Sequence, residues 1–140
     1  MSGTTTVATM TVQAEAEREV RATFDALYAA WTANDAAAFA ALYLDDATVV
    51  MPGVYNSGRE QVRAYMAAAF AGPLRGSRGV DTPQSVRFLG DDAAVIVSEA
   101  GILMAGETTL PAERLRRATW LLAKRDGAWK IAAYHNCAAG

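Results

Sequence analysis

The chain holds one cysteine and one histidine in 140 residues. A lone thiol, Cys137, makes no internal disulfide, and no cysteine or histidine spacing suits a structural metal. No metal site and no organic cofactor is implied, because one imidazole is poor ligand density and no glycine-rich phosphate loop follows a strand. An excess of either charge is also missing: 13 Lys and Arg stand against 15 Asp and Glu, for a net charge of −2. With no basic run interleaved with aromatics, nucleic acid and membrane surfaces are set aside as partners. No apolar run approaches the length of a membrane span, and the opening MSGTTTVATMTVQ has neither the basic nor the apolar region of a signal peptide. These absences predict a cytoplasmic product, with a disordered tail over residues 1–13 and a single domain over residues 14–140.

What is present is organised around the stretch Thr119 to Asn136, TWLLAKRDGAWKIAAYHN. Asp126 and Gly127 supply the positive φ angles of a tight two-residue hairpin turn. An unbroken register from that turn sets Lys124 opposite Trp129, Leu122 opposite Ile131, Trp120 opposite Ala133 and Ala118 opposite His135. Strand alternation then gathers Trp120, Leu122, Trp129, Ile131 and His135 on one face, with Leu121, Tyr134 and Asn136 on the other. Both faces are largely apolar, so helices cover one and a partner subunit is a candidate for the other.

Upstream the pattern is helical. From Ala14 to about Ala33, Val20, Phe24, Leu27 and Trp31 recur at helical spacing. Asp35 caps a second, shorter helix running to about Tyr43, which Asp45 and Asp46 end as turn residues. A strand from Ala47 to Met51 stops at Pro52 and Gly53. Ser57 and Glu60 have capping-box spacing for a third helix, striped by Val62, Tyr65, Met66 and Phe70, that stops at Gly72 and Pro73. The segment GPLRGSRGVDT reads as a mobile loop with Arg75 and Arg78 as solvated charges. From Gln84 onward the pattern is all strand. Helices first and antiparallel strands after make an α+β domain.

Several short signatures then resemble one known superfamily over nearly the whole length after Ala14. They are Trp31 to Asp35 (WTAND), Asp46 leading to Pro52 and Gly53, Gly58 to Glu60 (GRE), and the ending from Gly127 through Tyr134, His135 and Asn136. Together they resemble the nuclear-transport-factor-2-like superfamily, also called SnoaL-like or cystatin-like. The ending around His135 and Asn136 is similar to the SgcJ/EcaC branch, which is named from an enediyne biosynthetic cluster. The resemblance implies a cone-shaped domain. Three N-terminal helices pack on a strongly curved, mainly antiparallel sheet around an apolar pocket, commonly in a homodimer built through the outer sheet face.

The fold hosts enzymes and non-catalytic modules alike, so it decides no function. In sequences resembling ketosteroid isomerases the base is an aspartate just before the proline of the strand-to-loop corner, where this chain has Met51. The acid that SnoaL-type cyclases place near the C-terminal end is also missing. His135 stands either as a general acid/base or ligand donor, or as a core histidine satisfied by a backbone carbonyl. Glu99 either orients His135 or sits on the outer face paired with an arginine from Arg114 to Arg117, and the cost of burying a carboxylate favours the outer place. The first expectation is a cavity for a hydrophobic polyketide or polyene of secondary metabolism. Trp31, Met51, Tyr55, Tyr65, Phe70, Trp120, Leu122 and Asn136 line it, and His135 is the polar, candidate catalytic contact. Catalyst and carrier both stay open. The rival is an assembly module that uses an outer face carrying Tyr134 and Leu121; an open pocket favours the first, and aromatics that fill the space favour the second.

Overall fold

A computed structural model describes the chain from residue 2 to residue 140, with side chains from residue 12 onward. Ten segments follow one another: α1 (Ser2–Thr32), α2 (Ala36–Ala40), β1 (Tyr43–Met51), β2 (Val54–Ser57), α3 (Arg59–Ala71), β3 (Arg78–Phe88), β4 (Ala93–Leu103), a 3₁₀ turn (Ala112–Arg114), β5 (Arg116–Arg125) and β6 (Ala128–Ala138). The architecture is the expected α+β one: three helices lie on a curled six-stranded sheet of order β2-β1-β6-β5-β4-β3. Among the described residues, only the β1–β6 pair is parallel. Helix α1 is drawn from Ser2 rather than Ala14. The tail expected over residues 1–13 lies outside the residues with described side chains, apart from Val12 and Gln13. Among the described residues, no helix is long and apolar enough to cross a membrane.

The helical stripe read from the sequence is the stripe that is buried. Val20 and Leu27 are fully enclosed with Ile96, Leu122 and Ile131 of the sheet, each such side chain worth about 1.5–3 kcal/mol of transfer free energy. Asp35 caps α2 by accepting from Ala38 N–H at 3.0 Å. That helix stops at Ala40 rather than near Tyr43, because Tyr43 already opens β1.

Asp45 and Asp46 therefore lie in a strand and not in a turn. They occupy an irregular stretch of β1, where the pairing to β6 jumps from Tyr43↔Ile131 to Thr48↔Ala133. Asp45 meets Arg59 at 2.6 Å. The expected Ser57 capping box is displaced: Ser57 ends β2, Gly58 is the N-cap with no side-chain bond, and Glu60 pairs with Arg63 instead. Gly58 holds a φ of 95°, conformationally open to glycine alone.

The later part of the expected mobile loop is strand. β3 begins at Arg78, and the short link before it is pinned to the end of α1. Asn34 Oδ1 accepts from Gly76 N–H at 2.7 Å, and Trp31 Nε1–H donates to the buried Ser77 hydroxyl at 3.0 Å. Arg75 and Arg78 are exposed.

The largest departure lies in β6. The Asp126–Gly127 turn forms, and Lys124↔Trp129 and Leu122↔Ile131 pair as expected. Beyond them Leu121 pairs with Ala133, so Ala132 is one extra residue on β6. A bulge of one residue inverts every later side chain. Trp120 faces Tyr134, Thr119 faces His135 and Ala118 faces Asn136. Tyr134 and Asn136 consequently point inward and His135 outward, the reverse of the expected arrangement.

Candidate functional site

A cavity opens between α1, α3 and the concave face of the sheet, in two adjoining lobes of about 390 and 440 Å³. Trp31, Met51, Tyr65, Ile102 and Tyr134 border both. The larger lobe runs under α3 against Phe39, Tyr43, Val62 and Met66, and is almost wholly apolar. The smaller opens toward the 3₁₀ turn and carries Tyr28, Glu113, Arg114, Arg116 and Asn136. Each lobe falls within the range of about 300–1,000 Å³ typical of small-molecule sites.

Gly79 keeps the smaller lobe open. A Cβ there would stand 2.6 Å from the Tyr28 ring and 3.5 Å from Trp31. Behind Tyr28 lies a chain of hydrogen bonds: Trp120 Nε1–H donates to Ser98 Oγ at 3.1 Å, and both Ser98 Oγ–H and Tyr28 O–H donate to Asp81 Oδ2 at 3.0 Å. Burial pushes the Asp81 carboxyl above its ordinary value, against the lowering effect of the Ser98 and Tyr28 bonds. The Tyr28 phenol is raised well above its usual range, first by burial and then by the Asp81 charge. Tyr134 stacks on Trp120 with ring centroids 4.1 Å apart, and Asn136 Nδ2–H donates to its hydroxyl at 2.8 Å. Burial raises the Tyr134 phenol, while the Asn136 bond and the Arg116 charge oppose that rise.

The SnoaL-like domain family matches residues 20–139. This chain belongs to that family. Solved structures with the same cystatin-like, nuclear-transport-factor-2-like fold superpose on nearly all of the domain. An NTF2-like protein from Novosphingobium aromaticivorans is 19% identical, with 96% of this chain and 89% of that chain covered and a TM-score of 0.83. A putative scytalone dehydratase from the same organism is 15% identical, with 94% and 89% covered and a TM-score of 0.77. A putative calcium/calmodulin dependent protein kinase II association domain from Xanthomonas campestris is 29% identical, with 86% of each chain covered and a TM-score of 0.71. No curated protein matches the chain.

In this SnoaL-like domain the residues expected around the pocket separate into three groups. Trp31, Met51, Tyr65 and Asn136 border the cavity. Phe70, Trp120 and Leu122 belong instead to the solid core: Phe70 sits edge-on behind Trp31 at 5.8 Å, Trp120 packs against Phe24 at 5.0 Å, and Leu122 is fully enclosed. Tyr55 and His135 lie on the outer sheet face, and Tyr55 is 67% exposed. The bulge at Ala132 is the reason His135 leaves the interior. Glu99 also faces outward, 3.6 Å from Arg117.

Asp81 is a polar group that the sequence reading gave no role, and Tyr134 and Arg116 are groups that it set on the outer face. The β-branched Val80 and Thr82 flanking Asp81 carry the strand signal, but the neighbouring glycines dominate the stretch. Among the described residues, no group of three or more His, Cys, Asp or Glu side chains is placed to hold a metal ion.

Proposed function

We propose that this SnoaL-like domain binds a hydrophobic small molecule of polyketide or polyene type in the two-lobed cavity. The observation that carries this reading is the apolar lobe, which stays open although Trp31, Phe39, Tyr43 and Met66 surround it. A domain selected only for packing fills such a space, because interiors approach crystal density. Most polar contacts gather in the smaller lobe, on Tyr28, Glu113, Arg114, Arg116 and Asn136, while the larger lobe is aromatic, methionine or aliphatic apart from Asn56. That division suits an elongated apolar ligand with one polar end. The ending Tyr134–His135–Asn136 supports a ligand of enediyne-type biosynthesis through its SgcJ/EcaC resemblance.

Titration with retinol, an uncharged conjugated polyene, followed by quenching of tryptophan fluorescence, tests the reading. Saturable binding by the wild type is expected. Met51→Trp, which fills the border between the lobes, weakens it at least about tenfold, whereas His135→Ala leaves it unchanged because that ring is outside. A correctly folded wild type that does not bind would sink the proposal. Product analysis of the same mixtures separates catalyst from carrier.

A second reading, a dimeric assembly module, is favoured by Val50 and Tyr55, large side chains standing 38% and 67% exposed on the outer sheet face. The likeness to a putative association domain points the same way.

A further inference from the structure

We propose that the ligand carries a carboxylate and that Arg116, assisted by Asn136, receives it at the mouth of the smaller lobe. The inference rests on the cavity being a ligand site and names the class of molecule that enters it. Arg116 projects to the concave side, since β5 pairs it with Ala100 of β4 and Ala138 of β6, and its side chain borders the lobe. The other two arginines of this stretch have acidic partners. Arg114 Nη2–H reaches both Glu107 oxygens at 2.6 Å and its Nη1–H donates to the Ile102 carbonyl at 3.3 Å, while Arg117 faces outward to Glu99. Arg116 makes no ion pair and no side-chain hydrogen bond among the described residues, although it is half-buried beside an apolar wall. A guanidinium whose five donors have no protein acceptor in that position is available to an incoming anion.

The neighbouring Asn136 side chain borders the same lobe, and its Nδ2 has a second N–H beyond the one it donates to the Tyr134 hydroxyl. Asn136 is the diagonal cross-strand neighbour of Arg116, with Cα atoms roughly 7–8 Å apart in such pairs. A planar carboxylate accepts two parallel bonds from the guanidinium and a third from the amide.

Arg114 is already neutralised by Glu107, and Glu113 borders the same lobe from its exposed place on the 3₁₀ turn. The match of the planar guanidinium fork to a planar carboxylate, rather than the net charge of the mouth, selects the ligand group. The apolar body then runs past Trp31 and Met51 into the larger lobe.

The test uses cis-parinaric acid, a fluorescent conjugated polyene with a carboxyl end, and its methyl ester, titrated at neutral pH. The wild type binds the acid at least about tenfold more tightly than the ester. Arg116→Gln removes that preference by weakening the acid alone, and Arg116→Lys retains part of it. Circular dichroism confirms that both variants fold. Equal binding of acid and ester by the wild type, or an acid preference that survives in Arg116→Gln, overturns the carboxylate proposal and leaves the cavity reading standing. Failure of both probes and of retinol to bind overturns the two together.

Discussion

At the scale of the residue, Asp81 is the clearest instance of chemistry set by surroundings. Its carboxylate accepts from Tyr28 and Ser98, yet burial outweighs those bonds and raises its pKa. A carboxyl whose folded pKa exceeds its unfolded one binds more protons folded than unfolded between the two values. Its contribution is therefore fully favourable below the unfolded pKa and is lost as pH rises through the folded pKa. Asp81→Asn keeps an acceptor oxygen for both donors and never ionises. Its stability relative to the wild type is expected to rise as pH climbs past the ordinary aspartate pKa, measured by urea denaturation at several pH values. Parallel curves for the two proteins would count against burial as the dominant influence. Tyr134 illustrates the same dependence on place: on the outer face it would be an ordinary exposed phenol, whereas inside it is stacked on Trp120 and held by Asn136.

At the scale of the element, what was legible in the sequence was what local spacing determines. The stripe of α1, the Asp35 cap and the Asp126–Gly127 turn each depend on residues within one or two turns of chain, and each is found in place. The bulges of β1 and β6 depend on partners far away in sequence, and no local signal marks Ala132 as an extra residue. For that reason the fold could be read ahead, and Trp31, Met51 and Tyr65 border the cavity, while His135 exchanged faces with Tyr134 and Asn136. The first half of β3 was missed for a related reason: glycine density describes a loop unless the Asn34 and Ser77 bonds that pin its start are known. A Cβ on Gly79 would stand 2.6 Å from the Tyr28 ring of α1. Gly79→Ala is expected to cost about 1–3 kcal/mol, since the Tyr28 ring must shift to admit the methyl group. It should also weaken polyene binding, because Tyr28 is driven from Asp81 into the smaller lobe. Chemical denaturation and the fluorescence titration measure the two effects separately.

At the scale of the whole molecule, the sheet has two working faces. Its concave side encloses the cavity, and its outer side presents Val50, Tyr55 and His135 with the Glu99–Arg117 pair. If two copies associate through that outer side, sedimentation at micromolar concentration shows a dimer. Tyr55→Asp then shifts it toward monomer by about tenfold or more, because an unpaired charge is desolvated at the interface. Retinol binding should be retained in the monomeric variant, since Tyr55 borders neither lobe. A variant that loses association and binding together would instead show that the cavity depends on the second copy.

The bulge at Ala132 also bears on how such a pocket changes over time. Beyond it, the inward or outward fate of Tyr134, His135 and Asn136 is a matter of parity: whether an odd or an even number of residues separates each from the hairpin turn. Replacing a side chain alters one contact, but inserting or deleting a single residue exchanges the whole set, trading a phenol and an amide for an imidazole in one step. In this region a small change of length is therefore the mutation that rewrites the chemistry of the cavity while preserving the sheet around it.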